Sequence, residues 1–189
     1  MNFFDYCHFF RGDIVMRIRT FMAIMAFFVA GVVLHGCSST SAQTVTGELI
    51  VSEKTLPIKF YEIADQGIVV YKATNEAEFN EHWEHFRLSD PPEKIDWENQ
   101  AVIFLGIVES GTCPLQFKSA EVNEVKTELL FHLEGNKEQA CTDDATPRTM
   151  VIALDASEIS DVAFVKIDDY FGINPEVEFH EMTVTNEDL

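Results

Sequence analysis

A chain of 189 residues with 47% apolar side chains is long enough for one globular domain with a real core. Residues 1–36 hold three of the 13 basic side chains (Arg11, Arg17, Arg19) and two of the 32 acidic ones (Asp5, Asp13), so the formal charge of −19 becomes −20 in the remainder. Such a surface repels phosphate backbones and anionic headgroups, which argues against nucleic acid as a partner and leaves cations or basic protein patches.

The first recognisable element is an export signal. Met16-Arg17-Ile18-Arg19-Thr20 is positive, and Phe21–Leu34 is apolar without a charge. Fourteen helical residues rise about 21 Å, too short for a bilayer core of about 30 Å, so a signal peptide over residues 1–36 is expected. Its charged segment starts at Met16, which makes Met16 the expected start of translation and removes Cys7 from the protein. An Ala-x-Ala-like cleavage site is absent. Leu34-His35-Gly36-Cys37 stands there instead and resembles the lipobox of bacterial lipoproteins. The resemblance implies cleavage before Cys37, acylation of Cys37, and a membrane address, the outer membrane where the host has one, because Ser38 follows. The alternative is an uncleaved signal anchor with a chance cysteine. Residues 37–46 are small and polar, as a tether should be, and residues 47–189 are expected to form one extracytoplasmic domain.

Within that domain the pattern predicts short strands and one helix. Ile58–Ile63 and Ile68–Ala73 are expected strands about a turn at residues 64–67. Asn75 followed by Glu78 is a capping-box signature, and Phe79, Trp83 and Phe86 fall on one face of the helix that follows, over 75–86. Ala101–Val108 is apolar throughout, as in a central strand covered on both faces. Leu115–Val122 and Val125–Leu133 read as a hairpin joined at Asn123-Glu124. Thr149–Leu154, Val162–Ile167 and Val177–Val184 complete the set. The expected fold is mainly β within the α+β class: a compact antiparallel or mixed sheet with one packed amphipathic helix.

Candidate chemistry is sparse. With Cys37 acylated, Cys113 and Cys141 are left in an oxidising compartment, where a bridge closing 29 residues inclusively is expected. The alternative is a nucleophilic thiol at Cys113, which needs a histidine base that its neighbours do not supply. The loops around this pair offer Ser110, Gly111, Thr112, Asp143, Asp144 and Arg148 as interaction residues, with a local ion pair between the aspartates and Arg148 expected. On the helix, Glu78, Glu81, His82 and His85 share a face about 110° from the aromatic stripe and are the only candidate metal ligands, although solvated acidic faces are commoner. His132 and His180 are lone histidines on expected strands. GxSxG, HExxH, P-loop, GxGxxG and EF-hand signatures are missing, so neither an enzyme nor a cofactor is expected.

Residues 68–155 also follow an order of motifs: a strand, the helix NEAEFNEHWEHF, an apolar strand ending near Leu105-Gly106, the Ser110-Gly111 loop, the hairpin Leu115–Leu133, and Pro147-Arg148-Thr149 leading into another strand. That order resembles the PrcB family of protease-complex subunits, with Thr112-Cys113-Pro114 where the family tends to carry two glycines and an aromatic residue. The resemblance implies a non-catalytic accessory lipoprotein that stabilises or modulates an envelope protease. The expected function is therefore a lipid-anchored binding module with an envelope protein as partner. The alternative is a small metal-dependent or hydrolytic envelope enzyme using His82 and His85.

Overall fold

The computed structural model describes residues 42–92, 94–135 and 140–182. The signal segment, Cys37 and the first residues of the tether lie outside the described residues. The protein is mainly β. Among the described residues are strands β1 (Gln43–Val45), β2 (Gly47–Glu53), β3 (Ile68–Ala73), β4 (Gln100–Glu109), β5 (Gln116–Val122), β6 (Glu128–Glu134), β7 (Thr146–Asp155), β8 (Phe164–Asp168) and β9 (Glu176–Glu178). They are joined by two helices, α1 (Phe60–Ile63) and α2 (Glu76–His85).

The strands form two sheets, ordered β1-β5-β6-β8-β9 and β2-β7-β4-β3. All pairs are antiparallel except β6 with β8. One residue, Thr46, carries the chain from the edge of the first sheet (β1) to the edge of the second (β2), which joins the sheets along one side. On the other side the segment after β9 leans on β3, where the His180 N–H donates to the Val70 carbonyl at 2.8 Å. β1 also means that the polar stretch expected to be a tether up to residue 46 enters the domain at Gln43.

Alternation along the strands builds two cores. Ile103, Leu105 and Ile107 of β4, Met150 and Ile152 of β7, and Ile68 and Val70 of β3 meet Leu129, Phe131, Val165 and Ile167 between the sheets. The opposite faces of the same strands, with Val69, Tyr71, Val102, Phe104 and Val151, are covered by Phe79, Trp83 and Phe86 of the α2 segment and by Phe60 of α1. β4 is thus buried on both faces, as its uninterrupted apolar run predicts. Gly106 allows close packing on the helix side: a Cβ there would meet Pro57 Cδ at 3.0 Å and Phe86 Cε1 at 3.2 Å, and both would have to give way by a few tenths of an ångström.

α2 forms where expected. The Asn75 side chain accepts from the Glu78 N–H at 3.0 Å, while Glu78 reaches back to the Thr74 N–H at 2.7 Å. The expected strand at 58–63 is instead a single helical turn, α1, which buries only Phe60. A six-residue run cannot distinguish strand from turn by alternation alone. The turn after it is real: Asp65 pairs with Ile68 across Gln66 and Gly67, both at positive φ. The hairpin of β5 and β6 is also real, but β6 starts at Glu128. The Asn123 side chain accepts from the Thr127 N–H at 2.9 Å and Lys126 adopts a positive φ, so the turn is longer and Val125 is exposed.

Candidate functional site

Two segments meet at one end of the sandwich: residues 110–115, which follow β4, and residues 140–145, which lead into β7. Cys113 and Cys141 are bridged there, with Cα atoms 5.5 Å apart, so the sulfur expected in the bridge is not a free nucleophile. Around the bridge the expected interaction residues form one polar network. Asp144 accepts from the Gly111 N–H at 3.0 Å, from the Thr146 hydroxyl at 2.7 Å and from the Thr142 hydroxyl. Thr112 Oγ1 accepts from the Thr142 N–H at 2.9 Å, and Ser110 Oγ lies 3.2 Å from Thr142 Oγ1. A Cβ at Gly111 would sit 2.6 Å from Asp144 Oδ2 and 2.9 Å from Thr146 Oγ1, so a larger residue there would displace these two side chains. Hydrogen bonds from the Thr142 and Thr146 hydroxyls and the Gly111 amide hold the Asp144 carboxyl down at about 2.

The expected ion pair of Asp143 and Asp144 with Arg148 does not form. Arg148 lies on β7, where alternation places it on the same face as Glu109 of the neighbouring β4, and its Nε and Nη2 donate to Glu109 Oε1 at 2.9 and 2.6 Å. The other Glu109 oxygen accepts from the Leu115 N–H at 2.7 Å. Glu109 is a buried carboxylate that no sequence motif marks, and it ties strand, loop and cation together. Breaking such a pair on one side strands a buried charge.

Next to this pair of loops is a cleft of about 270 Å³ lined by Leu115, Leu133, the two bridged cysteines, Tyr170 and Phe171, with Glu109 and Asp169 among its polar residues. Tyr170 is buried. Its hydroxyl donates to the Val108 carbonyl at 2.9 Å and accepts from the Val108 N–H at 3.3 Å, tying the β8–β9 turn to the other sheet. Burial, with Glu109 nearby, pushes the phenol up to about 12. Phe171 is 66% exposed and Ile173 52% exposed on the same turn. The only sequence signal for this wall is an aromatic pair before a glycine, Tyr170-Phe171-Gly172, between two strands.

The helix histidines stand elsewhere and do not form the solvated face expected of them. His82 is 5% exposed, and its ring lies 5.0 Å from Tyr71 and 5.4 Å from Phe104. His85 and His180 also pack on Tyr71, at 5.4 and 5.5 Å between ring centroids. The correction has a simple cause: His82 lies about 60° from Phe79 on the helix, within reach of a buried band that is often 100° wide or more. Burial lowers the pKa of both His82 and His85, against a backbone hydrogen bond at Lys72 and the charges of Glu81 and Glu78 in the case of His82. Glu78 is engaged in the cap and Glu81 is exposed. Among the described residues no group of three or more His, Cys, Asp or Glu side chains is arranged to hold a metal. His132 lies on the first sheet beside Asp168, at 3.2 Å.

The molecule is thus a β-sandwich carrying a disulfide-stapled loop pair and an adjoining apolar cleft at one end. Comparison with protein families, with curated proteins and with solved structures finds no match to this chain.

Proposed function

We propose that this chain is a lipid-anchored, extracytoplasmic accessory module that acts by binding another protein of the cell envelope through its stapled end. The observation that carries the reading is where that end lies. The chain enters the domain at Gln43, paired with Val122 at the last residue of β5, whereas Cys113 lies just before Gln116, the first. Seven strand residues separate the two by about 20 Å. A tether that enters at Gln43 therefore joins the domain at the end opposite the stapled loops. The bridge supports export, because disulfides persist in oxidising compartments. Lipid on Cys37 follows from the lipobox resemblance, and the PrcB resemblance of residues 68–155 puts an envelope protease complex first among the partners.

Two experiments test this. Cys37→Ser should move the protein from the detergent phase to the aqueous phase, and unchanged partitioning would refute the anchor. Affinity capture from intact, crosslinked cells should recover one envelope protein with the parent and lose most of it with Cys113→Ser/Cys141→Ser. Equal capture by both would refute the role of the stapled end.

A further inference from the structure

We propose that the cleft between the segment after β2 and the end of α2 binds a small phosphorylated ligand with an apolar body. This site is separate from the stapled loops and from the partner proposed for them.

Charge marks the site. Residues 37–189 carry 10 basic and 30 acidic side chains, yet this cleft of about 480 Å³ inverts the ratio. Lys54, Lys59 and Arg87 line it against one carboxylate, Glu62. Elsewhere Lys118, Arg148 and Lys166 are matched by carboxylates, whereas no ion pair among the described residues involves Lys54, Lys59 or Arg87. The Glu53 carboxylate, next in the chain to Lys54, is engaged otherwise: it accepts from the Ser89 N–H at 3.2 Å and from the Ser89 hydroxyl at 3.1 Å. Like charges gathered in one cleft repel one another, and a bound anion relieves that repulsion.

Two of these cations are held on backbone that disfavours them. Lys59 and Arg87 have φ of 59° and 56°, in the left-handed region where a β-carbon is costly. Arg87 stands directly after the C-cap of α2, where glycine is the usual residue. Lys59 precedes α1 without its side chain capping that turn. Local structure therefore accounts for neither charge, and residues held in such conformations cluster at ligand sites. The walls are fixed to each other as well. The Ile58 N–H donates to the His85 carbonyl at 3.0 Å, joining the segment of Lys54 and Lys59 to the helix end that carries Arg87, and the Thr149 hydroxyl donates to the Thr55 carbonyl at 2.8 Å. A site fixed in advance loses little entropy on binding.

The lining selects the ligand. A planar guanidinium fork and two ammonium groups suit the several oxygens of a phosphoryl group. Thr55 also lines the cleft, and its buried Oγ1 has no hydrogen-bond partner among the described residues, a hydroxyl still to be satisfied. Leu56, Pro57, Phe60 and Pro147 supply apolar wall, and Tyr61, 76% exposed, offers an aromatic surface. The volume lies within the roughly 300–1,000 Å³ of small-molecule sites. A phospholipid headgroup shares the phosphoryl chemistry, but position favours a soluble ligand. Lys54 follows the last residue of β2 while the tether enters at Gln43, before the first, so the seven residues of β2, about 20 Å, lie between them.

The test is a titration of the full-length protein in zwitterionic nanodiscs with phenyl phosphate, followed by amide resonances. Phenyl phosphate should bind saturably, about tenfold more tightly than inorganic phosphate, which lacks the ring, or benzyl alcohol, which lacks the charge. The resonances that move should be those of residues 54–62 and 87. Lys59→Gly/Arg87→Gly suits the left-handed backbone and should weaken binding about tenfold or more. Lys54→Gln leaves that backbone untouched and should weaken it about threefold. Nanodiscs of phosphatidylglycerol separate the two sources. A soluble ligand is supported if they leave these resonances in place and phenyl phosphate still binds; a headgroup is supported if they move the same resonances and compete with phenyl phosphate. Equal affinity for either control, shifts confined to other residues, absence of saturable binding, or affinity unchanged in both variants would each overturn the proposal.

Discussion

The stapled end and the helix side of this domain solve the same problem with opposite chemistry. At the stapled end, exposed segments are held by a covalent bridge and by hydroxyl and amide groups converging on Asp144, which stays charged. On the helix side, Tyr71, Phe79, Trp83, Phe86 and Phe104 hold α2 by packing, and His82 is driven toward its neutral form by burial. Loops cannot bury enough apolar surface to fix their shape, so polar bonds and a disulfide do it. A helix on a sheet has that surface, and an unpaired titratable group drawn into it is pushed toward its uncharged form. The lesson is that rigidity at a surface and rigidity in a core fail under different perturbations.

The largest expected effect is on the packed side. Trp83→Ala should lower stability by about 3–5 kcal/mol, as measured by denaturant unfolding, because it removes a ring shared with Phe79 and Phe104. A loss below about 1 kcal/mol would show that α2 is peripheral. Next comes the staple. Cys113→Ser/Cys141→Ser should cost about 3–4 kcal/mol in the chain-entropy model for a separation of 28 residues, visible as a drop in melting temperature that reduction of the parent reproduces.

Acid should separate the two regions by pH. Both histidine pKa values are lowered in the folded state, so the unfolded chain binds protons first. Stability from the helix side should be full above the ordinary histidine value of about 6.5 and fall as the pH drops below it. The Asp144 contribution is full above its ordinary value of 3.8 and is lost only as the pH falls toward about 2. Unfolding curves between pH 7 and 5 should therefore weaken in the parent and less so in His82→Gln, after allowance for the cost of replacing a buried ring. Identical pH slopes in the two proteins would contradict burial as the cause. The smallest expected effect on stability is that of Phe171→Asn, within about 0.5 kcal/mol, since the ring it removes is largely exposed.

Much of the architecture was legible where pattern and length agreed. The Asn75 cap, the aromatic stripe of α2 and the doubly covered β4 follow from spacing, and the Cys113–Cys141 bridge from elimination and compartment. Ile58–Ile63 reads as a strand because a short amphipathic run carries little periodic signal, and Val125 reads as strand because its sequence does not show Asn123 using its side chain to lengthen the turn. The site was half legible. Ser110, Gly111, Thr112 and Asp144 do converge, because the bridge brings their segments together. The pairing of Arg148 is not legible, since its partner, Glu109, lies 39 positions away and meets it only through β4–β7 pairing. The burial of His82 is not legible, because a helical wheel gives angle but not how far a neighbouring strand extends. The cleft could not be seen at all: its second wall, Tyr170-Phe171, comes from the other sheet.

The central claim is that the partner is met at the stapled end. Its most direct measurement is photo-crosslinking in intact cells from benzoylphenylalanine placed at Ile173, on the exposed β8–β9 turn, or at Tyr61, which is 76% exposed on α1. The account predicts that one envelope protein is captured from position 173 and little or none of it from position 61. Capture from position 61 alone, equal capture from both, or none from either would contradict it.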